Sequence, residues 1–137
     1  MALVTDNVTL RTILTEAKTI AVVGMSDKPW RDSHMVAGFL IACGYRVIPV
    51  NPTITTVMGL TAAPSLESIR EPVDIVNVFR RAEYVPAIVE SSISIGASTV
   101  WLQSGVVNEA AAARGAEAGL NIVMDHCIRV AYVLLMR

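Results

Sequence analysis

Cysteine, charge of one sign and long apolar runs are all scarce in this sequence. Its two cysteines, Cys43 and Cys127, are too few for a disulfide framework or a zinc cluster, so we expect reduced thiols and no metal site. Eleven basic residues against 12 acidic ones give a formal net charge of −1, and these residues are dispersed along the chain. The composition therefore argues against a broad basic surface and a nucleic-acid partner.

The apolar runs are short as well. Those at residues 20–25, 73–79 and 130–136 fall well below the ~20 residues of a membrane-spanning helix. The N-terminus has neither a basic region nor an uninterrupted apolar stretch, so it is not typical of a secretory signal. Together these features predict a cytoplasmic protein that makes no contact with a membrane.

What the chain does have is a high apolar content, with 53% hydrophobic and only 17% charged residues. Strands buried on both faces would explain this content, which favours a parallel sheet covered by helices. The length of 137 residues matches one compact domain. We find no internal repeat, low-complexity tract or linker, so residues 1–137 are expected to form a single domain.

Strand and helix patterns alternate along the chain. Short apolar runs rich in β-branched residues predict five strands, at residues 20–24, 45–50, 73–79, 99–102 and 121–124. Helical spacing of apolar residues predicts helices at the remaining positions, including 35–43, 85–95, 109–118 and 128–136, whereas residues 53–64 give only weak signals. Right-handed crossovers then predict a Rossmann-like, doubly wound, mainly parallel α/β sheet with helices on both faces.

The predicted strand ends carry the functional information, because ligands of such sheets bind beyond the carboxyl ends of the strands. Each end has polar or flexible residues, namely Gly24-Met25-Ser26, Asn51-Pro52, Phe79-Arg80-Arg81, Gln103-Ser104-Gly105 and Asp125. In the first loop, Gly24 permits a close backbone approach, and a helix beginning near Ser33 directs free N–H groups at an anion. Lys28 and Arg31 add positive charge there, so we predict a phosphate site. The alternative is a solvated loop in which Ser33 caps the helix.

The loop does not match the fingerprint of dinucleotide-binding proteins. That fingerprint reads G-x-G-x-x-G, with an acidic residue about 20 positions later that binds a ribose. Here Gly24 stands alone, and Asn51-Pro52 occupies the place of the acidic residue. NAD is therefore the alternative ligand and not the first choice.

Five segments together resemble the small stand-alone CoA-binding proteins, which are similar to the nucleotide-binding domain of the succinyl-CoA synthetase α-subunit. They are TIAVVGMSDKPWRDSH, YRVIPVNP, PVDIVNVFRR, VWLQSGVVNEAAA and GLNIVMDHCI, and they span nearly the whole chain in the same order as in the family. The resemblance implies a five-stranded Rossmann-like domain that holds coenzyme A at the rim of the sheet.

The resemblance also implies a role for each part of the rim. The pyrophosphate would lie at the Gly24-Met25-Ser26 turn and the start of the next helix, with Lys28 and Arg31 on the phosphates. Asn51 and Pro52 would bound the adenosine side, and Phe79 with Arg80 would form one wall of the site. Gln103 and Gly105 would line the path of the pantetheine arm. These assignments predict one continuous cofactor-binding rim.

Two residues depart from the family pattern. Met25 stands in place of the usual alanine and Trp30 in place of the usual glycine, and both are expected to add bulk beside the phosphate loop. Trp30 either stacks on adenine or packs over the loop. By contrast, Trp101 lies inside a predicted strand and is expected in the core.

For several other residues the sequence allows both a functional and a purely structural interpretation. Arg80 and Arg81 either hold an anion or pair with Glu83, and His34 either donates to an anion or faces solvent. Cys127 is interpreted as a small buried side chain, although its place after the last strand leaves a redox role open.

Three functions follow. The first is a carrier, sensor or regulatory module for coenzyme A or an acyl-CoA, with no catalytic residue of its own and with a protein partner left open. The second is an NAD(H)-binding domain, or the nucleotide-binding half of a multi-subunit acyl-CoA enzyme. The third is an interaction protein with a vestigial site. The related synthetases carry their phosphorylated histidine in a second domain, so ligase activity of this chain alone is not expected.

Overall fold

The computed structural model describes residues 3–136, which form one five-stranded sheet with helices on both faces. The helices are α1 (Asn7–Glu16), α2 (Asp32–Ala42), α3 (Val85–Ser94), α4 (Glu109–Glu117) and α5 (Ile128–Leu135). The sheet strands are β1 (Thr19–Val23), β2 (Arg46–Val50), β5 (Ile75–Val78), β6 (Thr99–Leu102) and β7 (Asn121–Val123), and a small hairpin adds β3 (Thr56–Val57) and β4 (Leu60–Thr61). Short 3-10 turns occur at Leu66–Ser68 and Ala82–Tyr84.

The strand order is β2-β1-β5-β6-β7, and every neighbouring pair is parallel. The chain moves outward from β1 to β2 and then returns to the other side of β1 for β5. Strand order therefore reverses between β1 and β5, where a doubly wound sheet forms its ligand crevice. The predicted Rossmann-like α/β fold is confirmed.

Both faces of the sheet are buried, as the apolar composition predicted. All five residues of β1 and all four of β5 and β6 are buried. Successive side chains of each strand point to opposite faces of the sheet and pack into two separate cores. One core lies under α1, α2 and α5, and the other lies under α3 and α4. Trp101 belongs to the first core and is fully buried, so its expected role in packing is confirmed.

Short segments cover both edges of the sheet. At β2, the Ala63 N–H donates to the Pro49 carbonyl oxygen (2.8 Å), and Asn51 N–H donates to the carbonyl oxygen of Ala63 (3.0 Å). At β7, Val4 N–H donates to the Ile122 carbonyl oxygen (2.7 Å). Such coverage reduces the free donors and acceptors that an edge strand offers to another chain.

The segment with weak sequence signals, residues 53–64, contains the β3–β4 hairpin. Met58 (φ 53°) and Gly59 (φ 73°) form its turn, and Val57 and Leu60 pack against the core under α2. Strands of two residues are too short to show the alternation by which a strand is detected. No helix in residues 3–136 is long and apolar enough to span a membrane.

Candidate functional site

The ends of β1 and β5 meet at the switch point of the sheet. Val23 and Val78 are register partners, so the next residues, Gly24 and Phe79, lie side by side. Gly24 has φ +84°, and a Cβ atom at this position would lie 2.7 Å from the Phe79 carbonyl oxygen and 2.9 Å from Cδ of Arg80. Glycine is therefore required here by the approach of the neighbouring strand end as well as by its backbone conformation.

The loop after Gly24 is held in place by hydrogen bonds to Ser26. Its N–H donates to Ser33 Oγ, its carbonyl oxygen accepts from His34 Nδ1, and its Oγ accepts from the Lys28 N–H, each at 3.0 Å. Because a carbonyl oxygen only accepts, His34 Nδ1 carries the hydrogen. His34 thus contacts the loop backbone through Nδ1, a contact that neither expected role included, and its role as an anion donor stays a prediction.

Asn51 supports the same loop from the end of β2. Its Nδ2 donates to the Met25 carbonyl oxygen (3.0 Å), while its Oδ1 accepts from the N–H (2.9 Å) and hydroxyl (2.7 Å) of Thr53. The amide of Asn51 is therefore engaged by the protein itself. Pro52, which was predicted with it on the adenosine side, is exposed beside the loop.

The alternative role of Ser33 as a helix cap is wrong. Helix α2 begins at Asp32 with Arg31 at the N-cap, and no side chain caps it. Ser33 is buried inside the first turn, where its hydroxyl accepts from Ser26 instead of from a helix N–H. The N–H groups of Asp32 and Ser33 have no acceptor within the helix and remain as donors at its positive end.

These elements enclose a cavity of about 320 Å³ at the start of α2. Six of the predicted site residues line it together with Asp32: Gly24, Ser26, Lys28, Arg31, Ser33 and Phe79. Two cationic side chains and a helix N-terminus meet one carboxylate, Asp32, at this cavity. Such a combination of charge and backbone donors suits a phosphate group.

Larger cavities lie elsewhere. One of about 550 Å³ lies along β2 and the segment at residues 59–64. Of two others of about 480 Å³ each, one includes Lys18 and Tyr45 at the opposite end of the sheet and one includes Arg70 and Gly96. None of the three opens at the N-terminus of an α-helix, and in the first of them Arg46 is paired with Glu71. The smaller cavity at the switch point is therefore the candidate site.

The two departures from the family pattern behave differently from each other. The side chain of Met25 is fully buried in the core under α2, so the expectation that it adds bulk beside the loop is wrong. The turn after β1 directs this side chain inward, and only its backbone remains near the rim. Trp30 is 71% exposed, and its ring contacts Lys28 of the same loop, whose Nζ lies 5.7 Å from the ring centroid.

The double arginine after β5 does not pair with Glu83. The ion pairs found within residues 3–136 join Arg46 to Glu71, and Arg114 to Glu90 and Glu117. The guanidinium of Arg80 instead lies 4.1 Å from the ring centroid of Tyr84. This stacking fixes Arg80 beside Gly24 and Phe79, whereas Arg81 is exposed.

Gln103 directly follows the end of β6, and its predicted place along the pantetheine path stays a prediction. Its side chain is buried, and Oε1 accepts from Asn77 Nδ2 and from the Ile128 N–H, both at 3.0 Å. Gln103 thus joins β5 and β6 to the start of α5. Gly105 is exposed, and its N–H donates to Asp125 Oδ1 (2.7 Å).

Sequence reasoning missed Asn77, which lies in the middle of β5. Its side chain is fully buried, and Oδ1 is the buried side-chain atom that lacks a hydrogen-bond partner among the described residues. A single polar residue within the run IVNV was the available signal. Cys127, half-buried at the N-cap of α5, adjoins the same polar group through Ile128.

Comparison with known proteins adds independent findings. The family model described as CoA binding domain matches residues 18–133. The uncharacterized protein YneT of Bacillus subtilis (strain 168) is 46% identical over 125 residues, which cover 91% of this chain and 93% of that protein.

Solved structures share the fold. A hypothetical protein from Pyrococcus horikoshii OT3 superposes with a TM-score of 0.94 at 36% identity, covering 97% of this chain and 94% of that one. The apo form of a dinucleotide forming acetyl-coenzyme A synthetase 1 from Ca. Korarchaeum cryptofilum gives 0.69 at 21% identity over 79% of this chain and 26% of that one. This second likeness concerns the fold alone.

Proposed function

Because this chain belongs to the family of CoA binding domains, we propose that it binds coenzyme A, free or acylated, at the rim where β1 and β5 end. It serves as a carrier, sensor or regulatory module and has no catalytic residue of its own. The observation that supports this most is the cavity at the start of α2, where Lys28 and Arg31 meet the free N–H groups of a helix.

The residues present suit the phosphates of this ligand. The N–H groups of Asp32 and Ser33 would receive the pyrophosphate, and Lys28 and Arg31 would balance its charge. Asp32 opposes one of these cations, which leaves one net positive charge among the side chains of the cavity. When bound, coenzyme A supplies a thiol or thioester at the far end of its pantetheine arm.

The hydrogen bonds that Asn51 makes within the protein help to choose between coenzyme A and NAD as the ligand. NAD-binding sheets place a carboxylate at the end of the second strand to hold a ribose. Here Asn51 uses both ends of its amide on Met25 and Thr53, so it acts as a support for the loop. This arrangement favours coenzyme A.

The proposed compartment is the cytoplasm. Cys43 and Cys127 are both free and half-buried, which suits an environment that keeps thiols reduced. The partner is proposed to be the small molecule itself.

A direct test is titration calorimetry of the purified protein with CoA, acetyl-CoA and NAD under identical conditions. We expect CoA and acetyl-CoA to bind more tightly than NAD, and to raise the melting temperature more at equal concentration, because a ligand that binds only the native state stabilises it. NAD binding as tight as that of CoA would reverse the choice of ligand.

A double variant tests whether the phosphates bind at the loop before α2. Lys28→Ala combined with Arg31→Ala is expected to weaken CoA binding by about 1.5–3 kcal/mol per contact, because each removes a charge-assisted hydrogen bond. Lys18→Ala is the matched control, since Lys18 precedes β1 at the opposite end of the sheet. Equal losses in the double variant and the control would move the phosphate site away from this loop.

A further inference from the structure

The side chain of Trp30 stands out in the loop that precedes α2. It is 71% exposed, whereas the other tryptophan, Trp101, is fully buried. Tryptophan is a large, flat and mostly apolar side chain, and such side chains are enriched where proteins bind other molecules. Because most of the Trp30 side chain is exposed, core packing does not explain its presence.

Trp30 lies in the chain between two residues that line the phosphate cavity. Its neighbours Lys28 and Arg31 both line that cavity, and Lys28 Nζ lies 5.7 Å from the centroid of the Trp30 ring. The ammonium group of this cavity-lining lysine is therefore within cation–π distance of the indole. This contact links the ring to the anion-binding groups.

We propose that Trp30 is the platform on which the adenine ring of the bound ligand stacks, an inference that rests on the proposed binding of coenzyme A. In coenzyme A the adenine is joined through one ribose to the phosphates. A pyrophosphate at Lys28 and Arg31 therefore holds the base within one ribose of the loop that carries the indole.

Lys28 couples phosphate binding in the cavity to stacking of the base on Trp30. Its ammonium group lies over the Trp30 ring, and a cation–π contact at an exposed site is weak. A phosphate in the cavity offers a stronger, charge-assisted hydrogen bond. Binding therefore draws Lys28 toward the phosphate and frees the indole face for the base.

The stacking contact selects the adenine end of the ligand. Base–aromatic stacking recognises the flat face of a ring, which the pantetheine arm does not have. Trp30 thus contributes to the affinity for adenine-containing phosphates and not to that for 4′-phosphopantetheine.

The test compares CoA with 4′-phosphopantetheine on the full-length protein. Trp30→Ala is expected to weaken CoA binding roughly 5- to 150-fold, the range measured for loss of one stacked base, and to leave the fragment unaffected. Trp30→Phe, which keeps an aromatic face, is expected to recover most of the CoA affinity. An unchanged melting temperature of both variants confirms that the exposed side chain does not support the fold.

Tryptophan fluorescence gives a second readout. We expect CoA to quench the emission of the wild-type protein and to leave the emission of Trp30→Phe unchanged, because only the buried Trp101 then remains. Unchanged CoA affinity in Trp30→Ala overturns the stacking inference and leaves the proposed function intact. Absence of CoA binding by the wild-type protein overturns both.

Discussion

At the scale of single residues, the site depends on how firmly Ser26 is held. Its N–H, carbonyl and hydroxyl groups all take part in hydrogen bonds, with Ser33, His34 and Lys28 as partners. A loop fixed in this way loses little conformational entropy when a ligand binds, and that loss is one of the main costs of association. The polar side chains of the first turn of α2 are therefore positioning residues for the phosphate loop.

His34 allows this role to be tested. His34→Ala removes the donor to the Ser26 carbonyl oxygen and is expected to weaken CoA binding by about 0.5–1.5 kcal/mol, the value of one hydrogen bond. In His34→Asn the amide nitrogen takes the place of Nδ1, so most of the affinity is expected to return. Calorimetry on the two variants measures the difference, and equal affinities would mean that the hydrogen bond does not position the loop.

At the scale of elements, the contact between the ends of β1 and β5 shapes the rim. Gly24 lies against Phe79 and the stem of Arg80, and the guanidinium of Arg80 is in turn stacked on Tyr84. The N–H of Gly24 also donates to the Val50 carbonyl oxygen (2.9 Å), so three strand ends meet at one turn. The width of the crevice is thus set by backbone packing.

Gly24→Ala tests this packing against a matched control. Gly44 also has a positive φ, +99°, but a Cβ atom there would meet nothing within 4 Å. Gly44→Ala is therefore expected to cost only the strain of its conformation, about 1–3 kcal/mol. Gly24→Ala has that strain and a clash with Phe79, so its free energy of unfolding, measured with urea, is expected to fall further. Equal losses would show that the strand ends separate without cost.

At the scale of the whole molecule, the parallel sheet separates the ligand rim from a second polar cluster at the opposite end. There the Tyr45 hydroxyl donates to the Leu14 carbonyl oxygen and joins the start of β2 to α1. Burial, together with the neighbouring Tyr132 and Cys43, raises the pKa of Tyr45 to about 12. The hydrogen bond of Tyr45 therefore lies at the end of the sheet away from the ligand rim.

This separation leads to a prediction about pH. Because the pKa of Tyr45 is raised above its unfolded value of about 10, the stability that it contributes is full below that pH and is lost as the pH rises toward 12. Tyr45→Phe is expected to lower the free energy of unfolding by about 0.5–1.5 kcal/mol near neutral pH, through loss of one hydrogen bond.

The difference between wild type and Tyr45→Phe is expected to shrink at alkaline pH, as measured by urea unfolding at about pH 8 and about pH 11. CoA affinity at neutral pH is expected to be the same in both proteins, because the substitution lies far along the sheet from the rim. A constant difference in stability across this range would mean that Tyr45 ionises as easily in the folded as in the unfolded protein.

The sequence predicts the strands and their common rim because runs of β-branched residues and the rule for strand ends both act locally. The sequence does not predict the direction of a side chain where that direction depends on the path of the backbone. Met25 belongs to the phosphate loop by position, yet the turn after β1 directs its side chain into the core. Ser33 lines the cavity as predicted, but its hydroxyl accepts from the Ser26 N–H and does not cap the helix. The buried side chain of Gln103 is likewise held by hydrogen bonds from Asn77 and Ile128, which are distant in sequence. Such partners are set by tertiary contacts.

The covered edges of the sheet have a consequence for how copies of this protein meet. Val4 pairs with one outer strand and Ala63 with the other, and Pro49 at the β2 edge has no N–H to offer. Strand-by-strand growth into fibrils requires an open row of such groups. Each outer strand of this protein therefore offers an interrupted row of donors and acceptors, which disfavours strand-by-strand pairing between copies while the ligand rim stays open.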